Sequence, residues 1–302
     1  MVEVLSFSDR HRVVHHPAGK EPSERLIVTF APKTDALADK GFATDFALKR
    51  GYDTIYVSQH RAAGHQALDS EEMARLIVPV AAGREIVAYG NSVGAYAALY
   101  FGGALNARIL SIAPRNTIHP LISVNPAQTA PLFTHRERLE DGPLSTHVPL
   151  VLFDPHQPKD ARLVRRWILP AYPDADLRPL TRTGHSVIAV LQAKGLLRGI
   201  AEAFFRGDPV PPIRMGKEGT PDWHFAEGHR LQSMGDPEGA LVHYRAALDG
   251  ERHKNLLLML ARCAAEVGDE ATYAAANDEL AAMKRDRRQK RQRSDVSGSV
   301  PG

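Results

Sequence analysis

One cysteine, Cys263, stands in a chain of 302 residues. That excludes an internal disulfide and a cysteine-rich zinc site, and it fits a reducing compartment. No apolar run reaches the roughly 18 residues that cross a bilayer. The opening MVEVLSFSDR lacks the basic start and apolar stretch of a secretory leader. The expectation is a cytoplasmic protein with no membrane span. Glycine-rich phosphate loops, the dinucleotide-binding Gly-x-Gly-x-x-Gly and paired carboxylates do not stand out either, so no cofactor is expected. Fourteen histidines are present, but none clusters at ligand spacing, and no metal is expected. A basic fold is absent as well. The net charge is +3, yet seven basic residues and a single Asp crowd between Lys284 and Arg293. The remainder is mildly acidic. A basic tail of this kind reads as a solvated end rather than a nucleic-acid site.

What is present is an ordinary globular composition, 43% hydrophobic and 24% charged, which excludes disorder throughout. Residues 1–206 alternate β-rich runs with helical stretches. Strands are expected at 25–31 (RLIVTFA), 53–58 (DTIYVS), 85–89 (EIVAY), 107–112 (ARILSI), 148–154 (VPLVLFD) and 176–181 (DLRPLT). Several are near-continuous apolar runs, as parallel strands covered on both faces must be. Helices are expected at 34–50, 70–81, 93–105, 161–169 and 186–205, and residues 1–19 form a leading hairpin turning near Ser8–Asp9. This alternation implies an α/β fold, a doubly wound and mostly parallel sheet. Residues 114–146 break the rhythm with five prolines. A loop that long is functional or mobile, and a lid could sit there.

Residues 207–221 are rich in Pro and Gly and read as a linker. Residues 222–285 then turn wholly helical, a small C-terminal all-α domain of four helices. Its turns at Gly235 and Gly268 lie about 33 residues apart, close to the ~34-residue period of tetratricopeptide repeats. Gly228, Leu231, Ala240, Tyr244 and Ala247 occupy positions that pattern fills with small or aromatic residues. Residues 286–302 read as a basic, disordered tail.

The decade 85–94, EIVAYGNSVG, carries the chemistry. A strand runs directly into Gly90-Asn91-Ser92-Val93-Gly94 and a helical stretch follows. A nucleophile elbow forces its serine into a strained turn, so small residues must flank it, and its hydroxyl stands exposed at the carboxyl edge of the sheet. The Val93 amide then faces the position of an oxyanion. A serine hydroxyl needs a base near neutral pH, and the expected order is Ser, acid, His. His185, in Gly184-His185-Ser186, follows the last strand of the domain. The acid is Asp154, which ends a strand, or Asp160, which precedes a helix and competes as its N-cap. A second oxyanion donor should come from the loop after the strand at 25–31. Pro32 has no N–H, which leaves Phe30 or Ala31. Arg115 and His119, after the strand next to the elbow, would meet an anionic or sugar substrate. His60 and His65 read as loop histidines in water.

On the elbow, Asp154 and the Gly184-His185 pair, the first 206 residues resemble the α/β-hydrolase superfamily. The resemblance implies a Ser–His–Asp triad above a parallel sheet, acting through an acyl-enzyme on an ester or related acyl bond. The stretches Gly94-Ala95-Tyr96-Ala97-Ala98-Leu99 and Ser111-Ile112-Ala113-Pro114 also look like small hydrolase-type proteins of bacterial surface-polysaccharide systems, which implies a small-molecule or glycan ester as substrate. The C-terminal helices resemble tetratricopeptide repeats, which implies a protein partner. Two alternatives stay open: an acyltransferase or thioesterase with the same triad, and a non-catalytic hydrolase-fold scaffold that binds partners through its helices.

Overall fold

The computed structural model describes residues 2–33, 37–60, 63–213, 215–250 and 252–297, the last eleven of these as backbone only. The chain divides into two compact units, residues 1–181 with 198–212, and residues 182–197 with 213–302.

The first unit holds one eight-stranded sheet. Strands β1 (Glu3–Phe7) and β2 (His11–His16) form the expected hairpin, whose turn is tied by the Ser8 amide donating to the His11 carbonyl at 2.9 Å. Strand β3 is Arg25–Phe30, β4 Asp53–Gln59, β5 Glu85–Asn91, β6 Arg108–Ile112, β7 Leu150–Phe153 and β8 Asp176–Pro179. The order is β1-β2-β4-β3-β5-β6-β7-β8, with β2 antiparallel to both its neighbours and every pair from β4 to β8 parallel. Every residue of β4 is buried, as are all of β3 but Arg25 and all of β5 but its two end residues. That two-sided burial is what the continuous apolar runs encode. The chain crosses from β4 over β3 to β5, so its direction across the sheet reverses between β3 and β5. Open α/β sheets bind ligands outside the carboxyl ends of strands at such a reversal.

Helix α1 (Thr44–Leu48) is much shorter than expected for 34–50; residues 34–36 of that stretch lie outside the described residues, and Ala43 caps the helix in the left-handed region. Helix α2 (Ser70–Ala81) keeps its expected bounds. Its start is a capping box, the Glu72 amide donating to Asp69 at 2.7 Å and the Asp69 amide to Glu72 at 2.8 Å. Helix α3 (Val93–Gly102) is buried all round. Residues 114–146 are not an open lid. They contain α4 (Pro126–Thr129) and two short 3-10 turns, and they bury Asn116, His119, Ile122, His135 and Leu139. The helix expected at 161–169 is α5 (Pro158–Leu163), a π-helical turn at Val164–Ile168 and α6 (Leu169–Ala171), because Pro170 has no N–H to continue the ladder.

The stretch expected as one helix at 186–205 is two, α7 (Val187–Ala193) and α8 (Leu196–Arg206), broken at Gly195 with φ +68°. The second unit contains α7 and then α9 (Pro221–Ser233), α10 (Pro237–Ala247), α11 (Lys254–Val267) and α12 (Glu270–Ser297). Asp236 and His253 cap α10 and α11 by accepting from the amides of Gly239 and Leu256 at 2.8 and 3.1 Å. Helix α9 packs on α10 and α11 on α12. At Gly228 a Cβ would come within 2.8 Å of the Tyr244 ring, so glycine there lets α9 and α10 close together. The tail expected from 286 is helical to Ser297 as part of α12; residues 298–302 lie outside the described residues.

Candidate active site

Ser92 stands at φ +56°, ψ −119°, between β5 and α3. A residue with a side chain held there is strained by about 1–3 kcal/mol, and such strain persists only where its surroundings over-determine it. They do so here. The Ser92 amide donates to the Ile112 carbonyl at 2.9 Å, and the Ser92 carbonyl accepts from the amides of Ala95, Tyr96 and Arg115 at 3.0, 3.1 and 3.1 Å. The flanking glycines are sterically required: a Cβ on Gly90 would strike the Gly94 carbonyl, and one on Gly94 would strike the carbonyl of Phe30. The turn therefore has the shape of an elbow, with Ser92 at its apex.

This turn borders a cleft of about 460 Å³, which Ser92 helps to line. Its walls come from the last residue of β4, Gln59, and from the segments that follow β3, β4, β5 and β6, among them Lys33, His60, Ser92, Val93 and Arg115. These are the carboxyl ends of the strands on either side of the reversal. Val93 opens α3, and the first amides of a helix have no partner within it; their dipoles favour negative charge.

The Ala31 amide, expected as an oxyanion donor, is engaged elsewhere. Its N–H donates to the Val57 carbonyl at 2.9 Å, which prolongs the β3–β4 ladder by one residue. Phe30 lies inside β3 between Val57 and Gly90, and neither Phe30 nor Ala31 lines the cleft. The next main-chain N–H, beyond Pro32, belongs to Lys33, which does line it.

His65 is not a loop histidine in water. It is 4% exposed, and its Nε2 faces the Ala31 carbonyl at 2.9 Å. A carbonyl only accepts, so Nε2 carries the proton. Burial pushes its pKa down to about 4, against the carbonyl contact, and the ring is neutral. The Gln59 side-chain carbonyl accepts from the His65 amide. Thus Gln59 and His65 hold the end of β3 beneath the elbow.

The two candidate acids differ. Asp154, just past β7, is 1% exposed and accepts from the His156 amide at 2.9 Å. Asp160, in α5, is fully buried, and its Oδ1 takes the Arg115 Nε–H at 2.6 Å. Asp160 thus answers an arginine rather than capping its helix through its side chain. His185 lies half-buried in the turn ahead of α7, in the second unit, between Gly184 at φ +57° and the helix.

His119 does not reach the cleft. It is wholly buried against Tyr96, Phe133 and Trp167, with ring centroids at 6.0, 4.9 and 5.6 Å. Its Nδ1 accepts from the Leu121 amide at 3.2 Å, and burial lowers its pKa to about 4. His135 is its neighbour in role: its Nδ1 accepts from Tyr96 Oη and Gln66 Nε2, both at 3.0 Å, and burial lowers its pKa to about 3. These two histidines fasten 114–146 to the core. No sequence signal separated them from surface histidines, nor pointed to Gln59 and Asn116. Among the described residues, no three His, Cys, Asp or Glu side chains group as metal ligands, and no helix is long and apolar enough to cross a membrane.

No protein-family model matches the chain, and no curated protein matches it in sequence. Solved structures do resemble it in outline. Est1E from Butyrivibrio proteoclasticus is 11% identical with a TM-score of 0.43, over 68% of this chain and 98% of that one. Alpha/beta hydrolase domain-containing protein 10 from mouse is 11% identical with a TM-score of 0.44, over 68% and 99%. A glycosylation-associated protein complex from Streptococcus agalactiae is 14% identical with a TM-score of 0.48, over 67% of this chain and 46% of that one.

Proposed function

We propose that this chain is a serine hydrolase that cleaves an ester or related acyl bond. The observation that carries the reading is Ser92: a non-glycine residue locked in a strained turn by four main-chain hydrogen bonds, bordering a cleft at the carboxyl edge of a parallel sheet. Strain of this kind clusters at functional sites.

In the proposed reaction His185 accepts the Ser92 proton as Oγ attacks the substrate carbonyl. The carbonyl oxygen becomes an oxyanion, met by the N–H groups of Val93 and Lys33. Collapse expels the alcohol, which takes the proton back from His185, and leaves an acyl-serine. Water, deprotonated by His185, attacks the acyl-serine, and the acid departs as Ser92 regains its proton. Asp154 orients His185 and stabilises its cationic form. The ion pair of Asp160 with Arg115 supports Asp154 as this acid, because a carboxylate already answering an arginine is a poorer partner for imidazolium. The pairing of Ser92 with His185 rests on chain order. For α9–α12 we read two tetratricopeptide-like hairpins that take a protein partner, a reading supported by the close fit of Gly228 on Tyr244.

Labelling with a fluorophosphonate probe tests the assignment. The expected result is a single adduct on Ser92, absent in Ser92→Ala and strongly slowed in His185→Ala. An unlabelled Ser92 in folded protein ends the enzyme reading.

A further inference from the structure

The cleft over Ser92 is one-sided in its chemistry. Among the described residues that line it, Lys33 and Arg115 are cations and none is Asp or Glu. Two hydrogen-bond donors in its wall are buried and unanswered: Gln59 Nε2, on a side chain that is 1% exposed overall, and Arg115 Nη2. Buried polar groups in folded proteins nearly always have partners, and an orphan calls for a missing one.

Arg115 is held as a fixed fork. Its main-chain N–H donates to the Ser92 carbonyl at 3.1 Å, which sets the residue beside the nucleophile. Its Nε–H is taken by Asp160 at 2.6 Å, which pins one edge of the guanidinium. Nη2 is left for a second acceptor. Guanidinium groups with one edge occupied still present planar N–H donors suited to a carboxylate. Sugar hydroxyls would bring donors as well as acceptors, and this wall has no carboxylate to receive them.

We infer that the substrate of this cleft carries a carboxylate within a few bonds of the scissile carbonyl, received by Arg115, Lys33 and Gln59. The inference rests on the hydrolase reading of Ser92 and narrows its substrate class to acidic esters. The carboxylate can belong to the acyl group, as in a half-ester of a dicarboxylic acid, or to the alcohol.

The test uses matched esters in two arms with the full chain. In the acyl arm, the 4-nitrophenyl half-ester of glutaric acid is compared with the same ester of glutaramic acid, a neutral isostere. In the alcohol arm, 4-carboxyphenyl butyrate is compared with 4-carbamoylphenyl butyrate. The expected result is a kcat/KM about tenfold to a hundredfold higher for the acid than for the amide in one arm, the range of one charge-assisted hydrogen bond. Arg115→Lys keeps a cation against Asp160 but loses the fork, and the acid-over-amide ratio should fall at least about fivefold. Lys33→Gln, at an exposed position, should lower the ratio without threatening the fold. Equal rates for acid and amide in both arms overturn the inference, as does a preference unchanged in both variants. Labelling of Ser92 by fluorophosphonate separates this failure from failure of the hydrolase reading. If Ser92 is not labelled and nothing is hydrolysed, calorimetric titration of Ser92→Ala with monomethyl glutarate decides: binding that weakens in the double variant with Arg115→Lys supports the anion site, and no binding overturns it.

Discussion

The two edges of the sheet are built to opposite rules. At the edge where the parallel strands begin, charge meets charge. Asp53, the first residue of β4, accepts from the Ala18 amide at 2.8 Å and from Arg84 at 2.7 Å. Arg25, the first residue of β3, pairs with Glu85, the first of β5. Where those strands end, Ser92 is strained and two buried donors are unanswered. Under the proposed function, stability is invested at one edge and preorganisation at the other, as expected when local rules are broken only where function needs it. The same comparison bears on His65 and Ala31: the elbow end is not loosely built, but apart from the Arg115–Asp160 pair its bonds hold main chain in place rather than neutralise charge.

The largest expected effect breaks the comparison at the elbow alone. Ser92→Ala should lower ester hydrolysis by at least about 10⁴-fold, while the denaturant midpoint stays near that of the wild type, because the residue is only half-buried and the substitution removes a single oxygen atom. Initial rates and urea unfolding check both halves. The converse holds for Asp53→Ala. It strands Arg84 in a buried setting and should cost about 3 kcal/mol of stability, with kcat per folded molecule unchanged.

The elbow end is largely legible in the sequence, and the ion pairs at the other edge are not. Strands β3, β4, β5 and β7 announce themselves because burial on both faces favours near-continuous apolar runs, and the Gly-x-Ser-x-Gly turn because no larger residue fits beside the Phe30 and Gly94 carbonyls. What was hidden is non-local. That Ala31 gives its N–H to Val57 depends on β4 lying next to β3, and strand order is not written in any one segment. Histidine is neither polar nor apolar enough to declare its burial, so the sequence presents His65 as a loop residue and His119 as a substrate contact, and nothing in it marks His135. Five prolines marked 114–146 as irregular, correctly, but irregular backbone can still be anchored by buried side chains.

Acid sharpens the contrast, because the two edges should yield in different pH windows. His65 titrates near 6.5 when unfolded and at about 4 when folded, so the unfolded chain binds a proton that the native state refuses. Stability should therefore fall as pH drops from about 6.5 to about 4, by roughly 3 kcal/mol for this residue, and then level. Asp53 behaves in the opposite sense. Burial opposes its charge, but the bonds from Ala18, Arg84 and Ser23 outweigh burial and depress its pKa. Its contribution is present above the unfolded value near pH 4 and is lost only as pH falls through the lower folded value. Urea midpoints measured from pH 7 to pH 2.5 should show His65→Gln flattening the upper window and Asp53→Asn the lower. Identical slopes in all three proteins would mean that neither edge behaves as described.

The smallest effect isolates strain itself. Ala82 sits at φ +49° after α2, just before β5 begins, and Ser92 sits at φ +56° just after β5 ends. Both are side-chain-bearing residues in the left-handed half of the backbone map, and glycine relieves either. In Ala82→Gly the relief of about 1 kcal/mol is partly offset by the extra freedom of the unfolded chain, for a net gain of about 0.5 kcal/mol and no change in rate. Ser92→Gly should gain stability by a similar amount and lose the reaction entirely. If Ala82→Gly slowed hydrolysis as well, the strain at the two ends of β5 would be mechanically linked, and the separation of a stabilising edge from a working edge would fail at the strand that joins them.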